Sequence, residues 1–268
     1  MIFSDEQLLQ LALKITAIAS VQPPYSLSTD LFREVYQQPI VEKPADLALL
    51  IDHTVLRPTA TKLDIERVLF EARQFGFASA CIHSSWLELG QKILEGTDVA
   101  LCTVVGFPLG AVASEIKTSE ILYAQKFSQL KEIDAVLNLG KLKSRDYQGV
   151  FQELKDLVQA CHSGRILMLK IIIETSLLTD EEKVIASLLC RFAGVDFVKT
   201  STGFSDGGAS VADVTLMRRA VGAKIGVKAS GGVRNYEQAI AMIEAGATRI
   251  GASSGVSILT DQTAEYSY

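Results

Sequence analysis

The alternation of short apolar runs with amphipathic helical stretches constrains this chain more than any other feature. Seven stretches with helical spacing lie between eight strand-length runs, which span residues 47–51, 79–82, 99–105, 133–139, 166–173, 196–199, 224–228 and 248–251. This alternation is typical of a parallel α/β fold, and a count of eight favours closure into a barrel. The sequence therefore predicts a TIM (β/α)8 barrel, with an open doubly wound sheet of eight units as the alternative.

The residues before the first run have a different character. Residues 4–20 place Leu8, Leu11 and Ile15 at helical spacing, and Pro23 ends the pattern before a polar connection to about residue 44. We expect an N-terminal helical extension over residues 1–45 and a barrel catalytic domain over residues 46–268.

Composition narrows the choice of partner and compartment. The net charge is −5 with no basic cluster, which argues against nucleic acid or an anionic membrane and for a small-molecule substrate. Asp5 and Glu6 stand where a signal peptide needs positive charge, and no apolar run approaches the length of a membrane span. Four widely spaced cysteines indicate free thiols in a reducing compartment, so we expect a cytoplasmic protein.

Two of the apolar runs carry a lysine at their carboxyl end. Lys199 precedes a Thr-Ser-Thr-Gly turn, and Lys228 precedes Ala-Ser-Gly-Gly. A single lysine of this kind commonly extends to the surface or pairs with a carboxylate. Two lysines on neighbouring barrel strands would disfavour each other's charged form, and a neutral amine can attack a carbonyl carbon. The pattern favours a Schiff-base enzyme with Lys199 as the nucleophile.

Other polar residues fall near the predicted strand ends. Asp134 lies at an alternating position of the fourth run, so it is a candidate general acid/base, or else a structural partner of a buried lysine. Asp52, close to Thr54, could hold a lysine or a substrate hydroxyl, or cap the next loop. Lys170 is either a third member of the lysine cluster or a surface side chain.

Small residues follow three of the later runs, where barrel enzymes often bind phosphate through backbone N–H groups. A short helix over residues 255–259 would complete such a site, although glycines also simply form tight turns. Neither the three histidines nor the glycine spacing matches a metal or dinucleotide motif, so we expect no metal and no cofactor. The candidate phosphate contacts are Thr202, Gly203, Gly231, Gly232, Ser253 and Ser254.

Eight collinear motifs make the sequence similar to the deoxyribose-phosphate aldolase family. They are IDHTVLRP, ASACIHS, TVVGFPLG, EIDAVLNLG, LKIIIET, FVKTSTGF, GVKASGGVR and RIGASSG. The resemblance implies a class I aldolase on a TIM barrel that needs no metal. It also implies reversible cleavage of 2-deoxy-D-ribose 5-phosphate to acetaldehyde and D-glyceraldehyde 3-phosphate.

The resemblance also implies roles for individual residues. Lys199 matches the Schiff-base lysine, Lys228 the second lysine that perturbs it, and Asp134 the proton-relay carboxylate. It further implies that Asp52, Thr54 and Lys170 line the substrate pocket, and that the phosphate is held by Thr202, Gly203, Gly231, Gly232, Ser253 and Ser254.

Two positions separate this chain from parts of that pattern. Phe204 stands directly after the Ser-Thr-Gly turn, where some relatives carry a lysine, which puts one phosphate contact in question. Family members often end in a tail whose terminal tyrosine reaches the active site, and Tyr268 is the corresponding last residue here.

Two other functions are consistent with the same residues, namely a different Schiff-base aldolase of the transaldolase type and a non-catalytic phosphosugar-binding barrel. The sequence allows a homo-oligomer without indicating one.

Overall fold

The computed structural model describes residues 3–23 and 25–260, and its centre is a closed barrel of eight parallel strands. The strands pair in chain order, and the last strand pairs with the first, which confirms the predicted TIM barrel. The strands are β1 (Ile51–Thr54), β2 (Ser79–Ile82), β3 (Ala100–Val105), β4 (Leu130–Val136), β5 (Met168–Ile172), β6 (Phe197–Lys199), β7 (Gly226–Ser230) and β8 (Arg249–Ala252).

Local signals set the ends of the surrounding helices. Thr61 and Thr179 cap the helices that follow them, and each forms a capping box with a carboxylate three residues on. Gly76 and Gly194 end the same two helices in the left-handed conformation, which glycine adopts without steric cost. The helices are α1 (Asp5–Ile18), α2 (Pro44–Ala48), α3 (Lys62–Phe75), α4 (Leu87–Leu94), α5 (Ser114–Ala124), α6 (Leu139–Lys143), α7 (Tyr147–His162), α8 (Asp180–Ala193), α9 (Val211–Val221), α10 (Tyr236–Glu244) and α11 (Gly255–Thr260).

The period-two geometry of the strands separates two interiors. On β4, Ile133 and Ala135 belong to the apolar layer between the strands and the helices. Glu132 and Asp134, at the alternate positions, contact charged side chains from other strands inside the barrel. Lys170 on β5 likewise faces inward and is fully buried. The helices therefore stabilise the outside of the barrel through apolar packing, while polar groups occupy its centre.

Two strands lie elsewhere than the apolar runs indicate. Residues 47–48 end α2, and β1 begins only at Ile51, so Asp52 lies within the strand instead of following it. β4 spans 130–136 instead of 133–139, and the predicted helix at 114–130 ends at residue 124. Lys228 and Lys170 lie in the middle of β7 and β5, not at their carboxyl ends. Inward-facing polar residues account for the differences in the strands, because a hydrophobicity pattern does not recognise a charged residue inside a strand.

The N-terminal helix α1 packs against α8, and its buried face continues the apolar layer of the barrel. Leu8, Ala12 and Ile15 are fully buried in the same cluster as the strand residues. Asp5, in the first turn of the helix, accepts a hydrogen bond of 2.9 Å from Arg219 of α9. The division of the chain at residue 45 remains a prediction from the sequence. Across the described part of the chain, every helix is too short or too polar to span a bilayer.

Candidate active site

Lys199 and Lys228 lie side by side on neighbouring strands. Their Cα atoms are register partners of β6 and β7, and their side chains are 3% and 0% exposed. The Lys199 Nζ donates to Asp134 Oδ2 at 2.8 Å, and the Lys228 Nζ donates to the same oxygen at 2.7 Å. The structure thus brings together the three residues predicted as catalytic, with one carboxylate oxygen between two amines.

Asp134 is an ionised carboxylate in this setting. Burial alone would raise the pKa of Asp134, but Lys170, Lys199 and Lys228 outweigh it and hold that pKa well below its usual range. For Lys228, burial opposes the charged form, yet Asp134 and Asp52 raise the pKa of Lys228 above its ordinary value. At neutral pH Asp134 is therefore an ionised carboxylate, and Lys228 is an ammonium.

The contacts extend below this group through a larger ionic network. Lys170 lies 2.5 Å from Glu132, 3.0 Å from Asp134 and 3.3 Å from Asp52. Lys228 also lies 2.5 Å from Asp52. Arg249 of β8 lies 2.5 Å from Asp52 and 3.0 Å from Glu132.

These contacts shift the protonation of the network members in a consistent direction. The pKa of Asp52 is lowered because Arg249, Lys170 and Lys228 overcome the effect of burial, which alone would raise it. Burial would lower the pKa of Lys170 and of Arg249, but the surrounding carboxylates raise both. The side chains of these ion pairs are at most 12% exposed, and buried charges persist only when paired.

The network divides by charge between the two halves of the chain. Its three carboxylates come from β1 and β4, and its four cationic side chains come one each from β5, β6, β7 and β8. The carboxylates are Asp52, Glu132 and Asp134, and the cations are Lys170, Lys199, Lys228 and Arg249. The two halves of the barrel are thus oppositely charged on the inside.

The turns above β6 and β7 are joined by backbone contacts. Ala209 N donates to Gly231 O at 3.0 Å, and a Cβ built on Gly208 would lie 2.4 Å from that oxygen, so only glycine fits there. Gly203, Gly231 and Gly232 have φ values of 87°, 87° and 80°. The turns therefore hold all three predicted phosphate-binding glycines in the left-handed region, which glycine adopts without steric cost.

Glu174, which follows β5, supports the first of these turns. Its carboxylate accepts hydrogen bonds from Thr202 N at 3.2 Å and from Thr202 Oγ1 at 2.5 Å. Glu174 itself is 3% exposed and has a φ of 51°, an unfavourable backbone conformation for a residue other than glycine. The strain indicates that the position of this carboxylate is held by its surroundings.

The remaining predicted residues lie near the mouth. Thr54 ends β1, is 6% exposed and donates to Asp52 O at 2.9 Å. Ser253 and Ser254 follow β8, where Ser254 is buried and Ser253 half-buried. Phe204 is 43% exposed and packs edge-on against Phe107 at 5.2 Å between ring centroids. Tyr268 lies outside the described residues.

Glu132 and Arg249 were missed as functional candidates, whereas Glu174 follows a predicted strand, where reactive residues of a barrel are expected. Glu132 precedes Asp134 by two residues and so lies on the same face of β4. The alternation of side chains along a strand could therefore have identified it from the sequence. Arg249 begins a strand and reads from the sequence as a surface residue. Its burial beside two carboxylates depends on the barrel being closed, which the local pattern does not reveal.

One group of side chains has metal-ligand spacing. Ligand atoms of Cys81, Cys102 and Asp134 lie within 4.8 Å of one another. These residues fit a cation poorly, because Asp134 already contacts the amines of three lysines and the Lys170 Nζ lies 3.6 Å from Cys102 Sγ. Burial also raises the pKa of the Cys102 thiol well above its usual range, which disfavours the thiolate that binds metals. This group is better described as part of the wall of the amine site.

Comparison with known proteins identifies relatives of this chain. The family model for DeoC/LacD family aldolases matches residues 47–261. The deoxyribose-phosphate aldolase of Enterococcus faecalis is 53% identical over 220 residues, which cover 82% of this chain and 99% of that protein. The deoxyribose-phosphate aldolase of Caldanaerobacter subterraneus is 52% identical over 220 residues, covering 82% and 95%. The tetrameric structure of deoxyribose phosphate aldolase from Aeropyrum pernix superimposes with a TM-score of 0.75 at 30% identity, covering 96% of this chain and 97% of that one.

A TIM barrel whose centre holds paired lysines and carboxylates, with relatives of this kind, defines an enzyme of the aldolase class. The chain belongs to the DeoC/LacD aldolase family.

Proposed function

We propose that this enzyme reversibly cleaves 2-deoxy-D-ribose 5-phosphate to acetaldehyde and D-glyceraldehyde 3-phosphate through a Schiff base on Lys199. The observation that carries the proposal is the buried amine of Lys199, which has Asp134 at 2.8 Å and the ammonium of Lys228 on the same carboxylate oxygen. The deoxyribose-phosphate aldolases that cover most of the chain at 52–53% identity support the choice of substrate.

The reaction begins when the neutral amine of Lys199 attacks the aldehyde carbon C1 of the substrate. The resulting carbinolamine loses water to give an iminium ion, which requires protonation of the departing hydroxyl. Lys228, held as an ammonium beside Asp52 and Asp134, is the proton donor for this step. Asp134 accepts the proton released by the attacking amine and passes it to the oxygen of the former carbonyl, which completes the neutral carbinolamine.

The iminium then withdraws electrons from the C2–C3 bond. The hydroxyl at C3 loses its proton as that bond breaks, D-glyceraldehyde 3-phosphate leaves, and the two remaining carbons form an enamine on Lys199. Protonation of the enamine carbon regenerates an iminium, and water releases acetaldehyde and the free amine. Asp134 and Lys228 carry the protons between these steps, since Asp134 contacts the Lys199 amine and Lys228 contacts the same oxygen of Asp134.

The phosphate of the substrate is assigned to the turns above β6, β7 and β8. Gly203, Gly231 and Gly232 have positive φ values, which occur in turns whose backbone N–H groups bind anions, and Glu174 accepts a hydrogen bond from Thr202 N. Asp52, Thr54 and Lys170 complete the pocket wall in this proposal. The residues assigned to the phosphate are Thr202, Gly203, Gly231, Gly232, Ser253 and Ser254.

The proposal also includes a cellular setting and an assembly. All four cysteines are buried free thiols, which supports a reducing, cytoplasmic location. The tetramer of the Aeropyrum pernix relative supports a homo-oligomer, and sedimentation velocity of the purified chain tests it.

Acetaldehyde release from 2-deoxy-D-ribose 5-phosphate tests the function directly. Borohydride added during turnover should reduce the imine and add mass to the peptide that contains Lys199. In the synthetic direction the enzyme should accept acetaldehyde as the donor and reject dihydroxyacetone and pyruvate. Labelling at another lysine would contradict the assignment of the nucleophile, and turnover of pyruvate would contradict the assignment of the substrate.

A further inference from the structure

The ionic network inside the barrel contains more cations than carboxylates. Counted as ionised groups, four cationic side chains face three carboxylates, all within one continuous set of contacts. Every member is nearly or fully buried, with Arg249 the most exposed at 12% of its side chain. A surplus positive charge in a buried site is costly unless one member loses its proton.

The contacts identify which cation gives up its proton. Lys170 lies within 3.3 Å of three carboxylates, and Lys228 lies within 2.7 Å of two. Lys199 contacts one carboxylate oxygen, which it shares with Lys228. Arg249 stays protonated at any accessible pH because its guanidinium is a very weak acid. The least compensated cation that can deprotonate is Lys199.

We propose that Arg249 and Glu132 are positioning residues that set the charge state of the nucleophile from the far side of the network. Arg249 supplies a fixed positive charge, which gives the barrel interior one more cationic side chain than carboxylates. This surplus favours the neutral form of Lys199. Glu132 limits that surplus to one. The inference rests on the proposed function, in which Lys199 forms the imine.

The connection between Arg249 and Lys199 runs through the carboxylates. Arg249 Nη1 donates to Asp52 Oδ1 at 2.5 Å, the other oxygen of Asp52 lies 2.5 Å from Lys228, and Lys228 shares Asp134 Oδ2 with Lys199. On the other side, Arg249 Nη1 donates to Glu132 Oε1 at 3.0 Å. Arg249 therefore acts on the amine electrostatically, through Asp52, Lys228 and finally Asp134, which contacts the Lys199 amine.

Titratable groups face Lys199 from every strand, so a pH profile must account for all of them. The thiol of Cys102 stays neutral because burial raises its pKa, whereas a hydrogen bond from Cys102 lowers the pKa of Cys81. A Cys81→Ser variant measured in parallel identifies any contribution from the thiol. The groups are Asp52, Cys81, Cys102, Glu132, Asp134, Lys170, Lys228 and Arg249, with Glu174 at the mouth.

The test is the pH dependence of borohydride trapping with acetaldehyde, measured as labelling of the Lys199 peptide. Arg249→Met removes the surplus, so the midpoint of the profile should move about one pH unit upward. Glu132→Gln enlarges the surplus, and the midpoint should move downward by a similar amount. The double variant has three cationic side chains and two carboxylates, so the surplus is again one cation. The midpoint of its pH profile should lie within about 0.3 units of the original midpoint. Arg249→Lys keeps the charge and should keep the original profile.

A purely structural role predicts a different result. Both single variants would then lose labelling rate at an unchanged midpoint, and the double variant would show the combined loss; that outcome overturns the inference. If Arg249→Met does not fold, a Glu132→Gln midpoint that stays in place overturns it equally. Failure of the original enzyme to label Lys199 at any pH would instead reject the proposed function, so the two failures are distinguishable.

Discussion

Lys117 and Lys199 are both buried lysines that contact a carboxylate, and they lie in different layers of the same barrel. Lys117 of α5 is fully buried between the strands and the helices, where its Nζ donates to Glu153 Oε1 and to Val136 O, each at 2.7 Å. Lys199 lies inside the barrel and shares its carboxylate with Lys228. Among the described residues, Lys117 therefore pairs with a carboxylate that no second lysine contacts, whereas Lys199 shares its carboxylate oxygen with Lys228.

The comparison shows that burial and an ion pair do not by themselves distinguish a structural lysine from a nucleophile. Lys117 and Glu153 form a matched pair, and Glu153 also accepts a hydrogen bond from Asn138 N at 3.2 Å. This pair ties α5 and α7 to the end of β4. Lys199 belongs to a network with an unmatched cation. The number of charges in the whole network carries the functional information.

Replacement of the nucleophile should have the largest effect. Lys199→Ala should lower kcat/KM roughly 10⁴-fold or more, because no other group in the site is expected to form the imine. Its melting temperature should stay close to that of the unchanged enzyme, since Asp134 keeps its contacts with Lys170 and Lys228. Acetaldehyde release and thermal unfolding measure the two properties. A stable variant that retains more than about one tenth of the activity would contradict the role of Lys199.

Replacement of Lys117 should lower stability and leave activity nearly unchanged, the reverse of the result expected for Lys199. Lys117→Met leaves Glu153 without its cation in a buried site, so the free energy of unfolding should fall by about 3–5 kcal/mol. Activity per folded molecule at low temperature should change little, because Lys117 lies outside the barrel interior. Urea unfolding measures the loss, and Lys117→Met/Glu153→Leu is the matched control that should recover most of it. A large loss of activity without a loss of stability would end the distinction between the two lysines.

The smallest expected effect is on the pH dependence of stability in alkaline solution. Burial outweighs Glu153 and lowers the pKa of Lys117, so the unfolded chain binds that proton more tightly than the folded one. Stability from this group therefore increases with pH up to about 10.4, the unfolded value, by at most about 1.4 kcal/mol per unit. The raised pKa values of Lys170 and Lys228 act oppositely, since their contribution is complete below about 10.4 and is lost only above it. Between about pH 9 and 10, Lys117→Met should show the more negative slope of unfolding free energy against pH; equal slopes would contradict the assignment.

The fold was predictable from the sequence because burial on both faces makes parallel strands recognisable as apolar runs. The exceptions have a physical cause. In β1 the residues are Ile51, Asp52, His53 and Thr54, and all four are buried although three are polar. Asp52 is satisfied by cations from β5, β7 and β8, and His53 pairs with Glu71 at 2.6 Å. These partners are distant in sequence, so the local hydrophobicity pattern used to predict strands does not reveal them.

The candidate site was predictable to the extent that its residues follow strands. The sequence predicted that Lys199, Lys228 and Asp134 lie together, and in the structure both lysines donate to the same carboxylate oxygen of Asp134. It did not include Arg249 and Glu132, because their role depends on counting charges across the closed barrel. The roles of all these residues in the reaction remain predictions.

The opposite charges of the two halves of the barrel have a consequence for how the chain folds. As the protein leaves the ribosome, strands β1 to β4 emerge first with carboxylates as their only members of the ionic network, and their cationic partners are still unsynthesised. We expect the nascent half to stay open until Arg249 arrives on the final strand and pairs with Asp52 on the first. Synthesised as two separate pieces, the halves should find each other more readily in dilute buffer than in concentrated salt.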